Sequence, residues 1–431
     1  VEQAISRARL QLADDPALAD LFVRCFRNTL DTTVTLLDDG TTFVVTGDIP
    51  AMWLRDSSAQ VYPYVSLAAG DPAMQRLLRG VIWRQAEYLN IDPYANAFNR
   101  TPDGAGHKND RPAASPWVWE RKFELDSLCY PIWLCYGYWQ ATADHAVFDT
   151  RVHQMLRRIL DVMSVEQDHD TRSSYTFQRP LTFRRTDTLP NRGRGTPTNP
   201  TGMVWAGFRP SDDACTYGYL IPANMFAVVV LNMVEEMAMT IYADVPLARQ
   251  ATTLREEIDR GIQTHGIVEH PRHGRIYAYE TDGFGHYTLM DDANIPSLLS
   301  LPYLGYAPAT DPLYLGTRRF VLGPGNPYFF QGRAASGIGS PHTATQYIWP
   351  LALAMQGLTA GEVAEREAMV RLLAATTGGT GYMHESFDAN NPARSTRPWF
   401  AWANSLFATL VLRWLEDREG GAGAAAGRSM P

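Results

Sequence analysis

Polar segments, most of them setting carboxylates beside aromatic or basic side chains, recur at six places in the chain, a combination suited to chemistry on a sugar. The densest is Thr46-Gly-Asp-Ile-Pro-Ala-Met-Trp-Leu-Arg-Asp56. Pro50 removes a backbone donor and fixes φ, so the turn is stiff. Trp53 offers a flat apolar wall to a ring. Arg55 and Asp56 supply a donor fork beside a pair of acceptors, which is what vicinal hydroxyls require. The other five segments are Trp119-Glu-Arg-Lys-Phe-Glu-Leu-Asp126, Arg209-Pro-Ser-Asp-Asp213, Met290-Asp-Asp-Ala-Asn294, Ser340-Pro-His-Thr343, and His384-Glu-Ser386 leading to Arg397-Pro-Trp-Phe-Ala-Trp402.

Glycoside cleavage needs one carboxylic acid to protonate the leaving oxygen and a second carboxylate across the ring. The segments offer Asp48, Asp56, Glu120, Glu124, Asp126, Asp212, Asp213, Asp291, Asp292 and Glu385. Asp212 and Asp213 sit in a Pro-led turn before an apolar helix, where burial would raise a carboxyl's pKa. Ser-Asp-Asp is also good capping chemistry, so one of the two can cap while its neighbour faces a cavity. Glu385 is flanked by Met383, His384 and Phe387, which suits a pocket wall better than open solvent. Glu120 with Lys122 reads equally as a structural ion pair, and His342 equally as a core histidine.

These residues need elements to position them. Apolar spacing of helical period recurs at about 17–36, 55–69, 72–91, 124–142, 145–165, 219–239, 244–263, 291–303, 312–321, 343–356, 360–376 and 399–418. Twelve helices in six pairs, without a dominant strand pattern, predict an all-α (α/α)6 barrel. The even-numbered helices carry more small and aromatic residues, as an inner ring buried on nearly all sides must. Each of them follows one of the six polar segments. Parallel inner helices would therefore gather all six at one end, around one deep pocket. Short strands are expected at Thr41–Thr46, Ser173–Thr176 and Arg275–Glu280, and rim loops at 91–115 and 182–202. A single catalytic domain is expected over 1–418, with 419–431 a disordered low-complexity tail.

The whole chain has 431 residues, 45% hydrophobic content, and a net charge of −8. It shows no basic cluster able to track a phosphate backbone, so nucleic acid is not an expected partner. No apolar run approaches about 18 residues, so no membrane partner is expected either. His265, His270 and His273 lack a carboxylate set of ligand type, so neither a metal nor another cofactor is expected. Cys25, Cys129, Cys135 and Cys215 form no CxxC pair and read as buried free thiols of a reducing, cytoplasmic compartment. Secretion after removal of a leader is the alternative.

Taken together, the motifs resemble glycoside hydrolase family 125, the metal-independent exo-α-1,6-mannosidases. The resemblance rests on Gly47–Ser57, Trp119–Ser127, Phe208–Cys215, Leu220–Phe226, Met383–Ser386 and Thr396–Asn404. It implies an (α/α)6 barrel and an inverting mechanism without covalent intermediate or metal. It further implies an aspartate acid in Ser-Asp-Asp, taken as Asp212 with Asp213 the second choice, and a glutamate base in His-Glu-Ser, taken as Glu385. The expected substrate is a terminal α-1,6-mannoside of an oligosaccharide or glycan. Asp48, Trp53, Arg55, Asp56, Glu120 and Lys122 are expected to bind it, with Asp126, Asp213, Asp292, His342, Arg397 and Trp399. The alternatives are a glucoamylase-type α-glucosidase on the same barrel, or a non-catalytic glycan-binding toroid.

Overall fold

A computed structural model describes the backbone of residues 1–426 and the side chains of residues 1–419. Thirteen helices carry the architecture. They are α1 (Glu2–Gln11), α2 (Pro16–Thr32), α3 (Leu54–Val61), α4 (Pro72–Ile91), α5 (Leu125–Thr142), α6 (Thr150–Glu166) and α7 (Ile221–Thr240). The set continues with α8 (Val245–His265), α9 (Leu301–Leu304), α10 (Pro312–Val321), α11 (Pro350–Leu358), α12 (Val363–Ala375) and α13 (Ala401–Ala426). In the inner ring α13 packs on α3, α3 on α5, α5 on α7, α7 on α9, and α11 on α13. Outside it, α4 packs on α6 and α6 on α8. The ring closes where α2 lies against α13, as expected of a first helix whose partner comes last.

The two rings start their helices differently. All outer helices but α12 open on aspartate caps: Asp15, Asp71, Asp149, Asp244 and Asp311 each accept from first-turn N–H groups. Proline follows at N1 or N2 in all but α6, where its missing donor costs nothing. The inner helices α3, α5, α7 and α11 have no side-chain cap. Short strands feed straight into three of them instead: Met52–Trp53 into α3, Tyr219–Leu220 into α7, and Tyr347–Ile348 just ahead of α11. Cross-strand pairing thus fixes where each inner helix enters the barrel.

The main hydrophobic core runs from Ile5 to Leu415, and Ala51, Trp53 and Ala97 form a small second cluster. Aromatic rings fill the barrel axis. Tyr130 of α5 meets Phe226 of α7 and Trp402 of α13 edge-on at 5.1 and 6.3 Å, and Trp133 stacks on Tyr62. By length and apolarity α7 could cross a membrane, but its packing against α5 and α8 accounts for its composition. All four cysteines are buried and free.

Three expectations need correction. Residues 291–303 are not a helix, and only Leu301–Leu304 is helical there. Asp291 folds the segment back on itself, its two carboxylate oxygens accepting from the N–H of Leu298 and Leu299 at 2.8 and 2.9 Å. Such local side-chain bonds compete with the helical ladder. The helix expected at 343–356 begins only at Pro350. Ser173–Thr176 is not a strand, whereas Thr42–Val44 and Gly274–Tyr277 are. The tail expected to be disordered lies partly in α13 and, from 427, outside the described residues.

Candidate active site

At the end of the barrel where the inner helices begin, a pocket is lined by five of the six segments. They contribute Trp53, Arg55 and Asp56; Pro210, Ser211 and Asp212; Asn294; His342; and Glu385, Arg397, Phe400 and Trp402. Thr46, Ile49 and Trp349 complete it. Trp402 packs edge-on against Tyr130, so the pocket is backed by the aromatic axis rather than by a through-channel.

On one side Arg55, buried at the start of α3, holds four carboxylates. Its Nη1 donates to Glu124 at 2.6 Å and Asp126 at 3.1 Å, its Nη2 to Asp212 at 3.3 Å, and its Nε lies 3.4 Å from Asp56. Asn96 Nδ2 lies 3.3 Å from both Glu124 and Asp212 and 3.1 Å from Glu120. Lys122 Nζ donates to the Asp212 carbonyl at 2.7 Å. Asp212 has φ of +64°, a conformation unusual outside glycine that Asp tolerates better than most. The Arg209–Asp213 turn, held by Asp212 N–H to Arg209 O at 2.9 Å, imposes it.

So much negative charge around so few cations splits the titrations. Burial pushes Asp56 up to about 6 against the pull of Arg55, and the same opposition brings Asp126 to about 6. Burial drives Glu124 well above the ordinary carboxylate range, with Asp212 and Asp126 adding to it and Arg55 opposing. Asp212 goes the other way. Burial alone would raise it, but Arg55, Lys122, a hydrogen bond from Glu124, and His342 outweigh that and hold it well below the usual range. The expected raised pKa therefore belongs, in the open pocket, to the carboxyl beside Asp212.

The surroundings of Glu385 are sparser. Glu385 lies 3.5 Å from Arg397 Nε, and Arg397 Nη1 lies 3.6 Å from Asp48. Arg397 sits over the Phe400 ring, and its carbonyl lies 3.1 Å from His384 Nδ1.

Of the expected site residues, Trp53, Arg55, Asp56, Asp212, His342, Glu385 and Arg397 line the pocket. The others do not. Glu120 and Lys122 are buried behind it, Glu120 accepting from Arg179 at 2.8 Å and Lys122 bonding Asp187 at 3.0 Å. Asp126 lies beneath Arg55. Asp213 pairs with His342 at 3.3 Å, and burial notwithstanding, His342 holds its carboxyl low. Asp292 accepts from the Asn294 backbone and side chain, both at 3.1 Å. Asp48 is exposed at the rim, and Trp399 packs against Gly47, where φ of +147° and a ring 3.1 Å from any added Cβ demand glycine. Sequence reasoning missed Asn96, hidden in a presumed rim loop, and the part played by Glu124. It also passed over Ser211, Asn294, Phe400 and Trp402 within segments it had singled out. Among the described residues no group of three or more His, Cys, Asp or Glu is placed to hold a metal ion.

Residues 15–412 match the metal-independent alpha-mannosidases of glycoside hydrolase family 125. A Streptococcus pneumoniae protein solved as a non-productive substrate complex with alpha-1,6-mannobiose superposes with a TM-score of 0.95 at 46% identity, covering 96% of this chain and 98% of its own. The meiotically up-regulated gene 157 protein of Schizosaccharomyces pombe is 43% identical over 441 residues, 97% of this chain and 86% of that protein. A bacterial glucoamylase complexed with acarbose shares the fold at a TM-score of 0.57 and 16% identity, covering 88% of this chain and 51% of that one.

Proposed function

The chain belongs to glycoside hydrolase family 125, the metal-independent alpha-mannosidases, and from that premise we propose an inverting exo-hydrolase of terminal α-1,6-linked mannose with Asp212 as acid and Glu385 as base. One observation carries the assignment of roles: Asp212 and Glu385 line the same pocket from two different segments. The α-1,6 linkage is supported by the mannobiose bound to the Streptococcus relative. A pocket backed by aromatic rings admits a chain end rather than a chain middle, which supports exo action.

In this reading the sugar lies against Trp53 and Trp402, with Arg55 and Asp56 toward its hydroxyls. Asp212 protonates the glycosidic oxygen as the C1–O bond breaks. Glu385 takes a proton from the water that attacks C1 from the other face, and the product is β-mannose. Arg397 keeps the Glu385 carboxylate oriented.

The test is hydrolysis of α-1,6-mannobiose followed by proton NMR, with and without EDTA. β-Mannose released first, at an unchanged rate in chelator, is the expected result. First release of the α-anomer would overturn inversion. Activity lost in EDTA and restored by calcium or zinc would overturn the metal-independent route. Turnover of glucosides in place of mannosides would overturn the substrate.

A further inference from the structure

An acid must arrive at the bond protonated, yet its neighbours hold Asp212 ionised in the open pocket. The geometry around Asn96 shows where the missing proton sits. Three carboxylate oxygens, from Glu120, Glu124 and Asp212, lie 3.1–3.3 Å from its single Nδ2. An amide NH2 carries only two hydrogens, so one of these approaches is not an N–H bond. The shortest approach, 3.1 Å, goes to the Glu120 oxygen that Arg179 does not take, which leaves one amide hydrogen between Glu124 and Asp212. Glu124 and Asp212 therefore stand side by side, spanned by the two ends of the Arg55 fork at 2.6 and 3.3 Å. The second Glu124 oxygen also accepts from Ser127 Oγ at 2.9 Å. Four carboxyls against Arg55 and Lys122 cannot all ionise.

We propose that Glu124 and Asp212 share one proton across this contact, and that Glu124, a positioning residue that never touches the sugar, passes it to Asp212 when substrate enters. The proposal rests on Asp212 being the acid. The O–H bond on Glu124 breaks as one forms on Asp212. That bond then breaks as the leaving oxygen becomes an alcohol. Glu124 is left as a carboxylate beside Arg55, and after release solvent returns a proton to it through the more exposed Asp212, matching the proton Glu385 took from water. The direction follows from exposure. The Asp212 side chain is 26% exposed and that of Glu124 is 0%, so a sugar filling the pocket strips water from Asp212 alone and raises its proton affinity. The opposite shifts of the two carboxyls in the open pocket fit a proton resting on Glu124.

The charged groups facing the pair are Arg55 and Asp56 from α3, Asp126 from α5, Glu120 and Lys122 from the segment before it, and His342, which pairs with Asp213. Glu124→Gln keeps the shape and a donor but cannot release a proton. Its kcat on α-1,6-mannobiose at neutral pH should fall about 100-fold or more, the range of a lost proton transfer, with KM little changed. Turnover of a dinitrophenyl α-mannoside, whose leaving group needs no proton, should stay within about 10-fold of wild type. The alkaline limb of kcat/KM should move to lower pH, because Asp212 alone beside Arg55 and Lys122 loses its proton sooner. Equal losses on both substrates, or an unmoved alkaline limb, would overturn the proposal. Asp212→Asn run alongside separates the two readings, since equal losses there would remove Asp212 as the acid whatever Glu124 does. Should the Gln variant not fold, infrared spectra of wild type carrying 13C-labelled glutamate decide the matter. A protonated glutamate carboxyl in the substrate-free protein at neutral pH is expected, and its absence would overturn the proposal.

Discussion

The surroundings of the two carboxyls are built on opposite plans. Asp212 stands in a buried lattice of Arg55, Asp56, Asp126, Glu124, Asn96 and Lys122, while Glu385 has one cation at 3.5 Å, shared with a rim carboxylate. A general acid has to keep a proton that its surroundings would let go, and crowding carboxyls around one guanidinium retains it. A general base has only to stay ionised and meet a water, for which a single half-buried arginine is enough. On the roles we propose, the crowding around Asp212 serves proton storage.

The largest effects should come from the two carboxyls and should differ in kind. Glu385→Gln is expected to lower kcat about 10²–10⁴-fold on activated and unactivated mannosides alike, since no other group takes the proton from water. Asp212→Asn should lose a similar factor on α-1,6-mannobiose and far less on a dinitrophenyl mannoside. Parallel kinetics on both substrates check this, and identical leaving-group profiles for the two variants would erase the distinction between the sides.

Stability should divide along the same line. Removing Arg55 leaves Glu124, Asp126, Asp56 and Asp212 facing one another, and breaking a buried pair of this sort costs about 3–5 kcal/mol. Arg397 is 25% exposed, so its loss should cost no more than about 1 kcal/mol. Denaturant melts of Arg55→Ala and Arg397→Ala test the contrast. Similar midpoints would mean the acid-side lattice is no tighter than the base side.

How much of this was legible beforehand follows from the range of the interactions. The six segments show in the sequence because inner helices are apolar and their leading turns are not. The outer helices show because Asp-Pro caps are local. Residues 291–303 misled because Asp-Asp before an apolar run is what a helix start looks like, and only the bonds from Asp291 to Leu298 and Leu299 reveal a loop. Glu124 and Asn96 were invisible as a unit, since their meeting with Asp212 spans up to 116 residues and depends on the barrel closing. For the same reason Glu120, Lys122 and Asp126 looked like sugar binders although they lie one layer behind.

A smaller effect concerns pH. The folded pKa of Asp56 is pushed up to about 6 from 3.8, so its contribution to stability is fully present below about pH 4 and is lost as pH rises through 6. Two units correspond to about 2–3 kcal/mol, which the neutral isostere should not lose. The melting temperature of Asp56→Asn relative to wild type should therefore climb between pH 4 and 7. Asp212 and Asp213, held low, have their contributions fully present above about pH 4, so they add no slope inside this window. A flat difference would mean Asp56 is ionised throughout, with the cluster's charge borne elsewhere.

The smallest effect should be at Asp48, and it separates rim from pocket on the base side. As read from the sequence, Asp48 binds substrate. In the structure it is 62% exposed, lies 3.6 Å from Arg397, and is absent from the lining. A pair so exposed is worth about 0–1 kcal/mol and is screened within about 8 Å at physiological salt. Asp48→Asn should then change kcat/KM by no more than about 3-fold, the lower half of that energy range. The difference should also vanish as sodium chloride is raised toward about 1 M, where screening is nearly complete. Direct bonding to a sugar hydroxyl would look different: the cost of an unmade bond to a charged group, about 1.5–3 kcal/mol, would raise KM 10-fold or more and would persist in salt. A salt-independent loss of that size would move Asp48 into the pocket and make the base side less sparse than its geometry indicates.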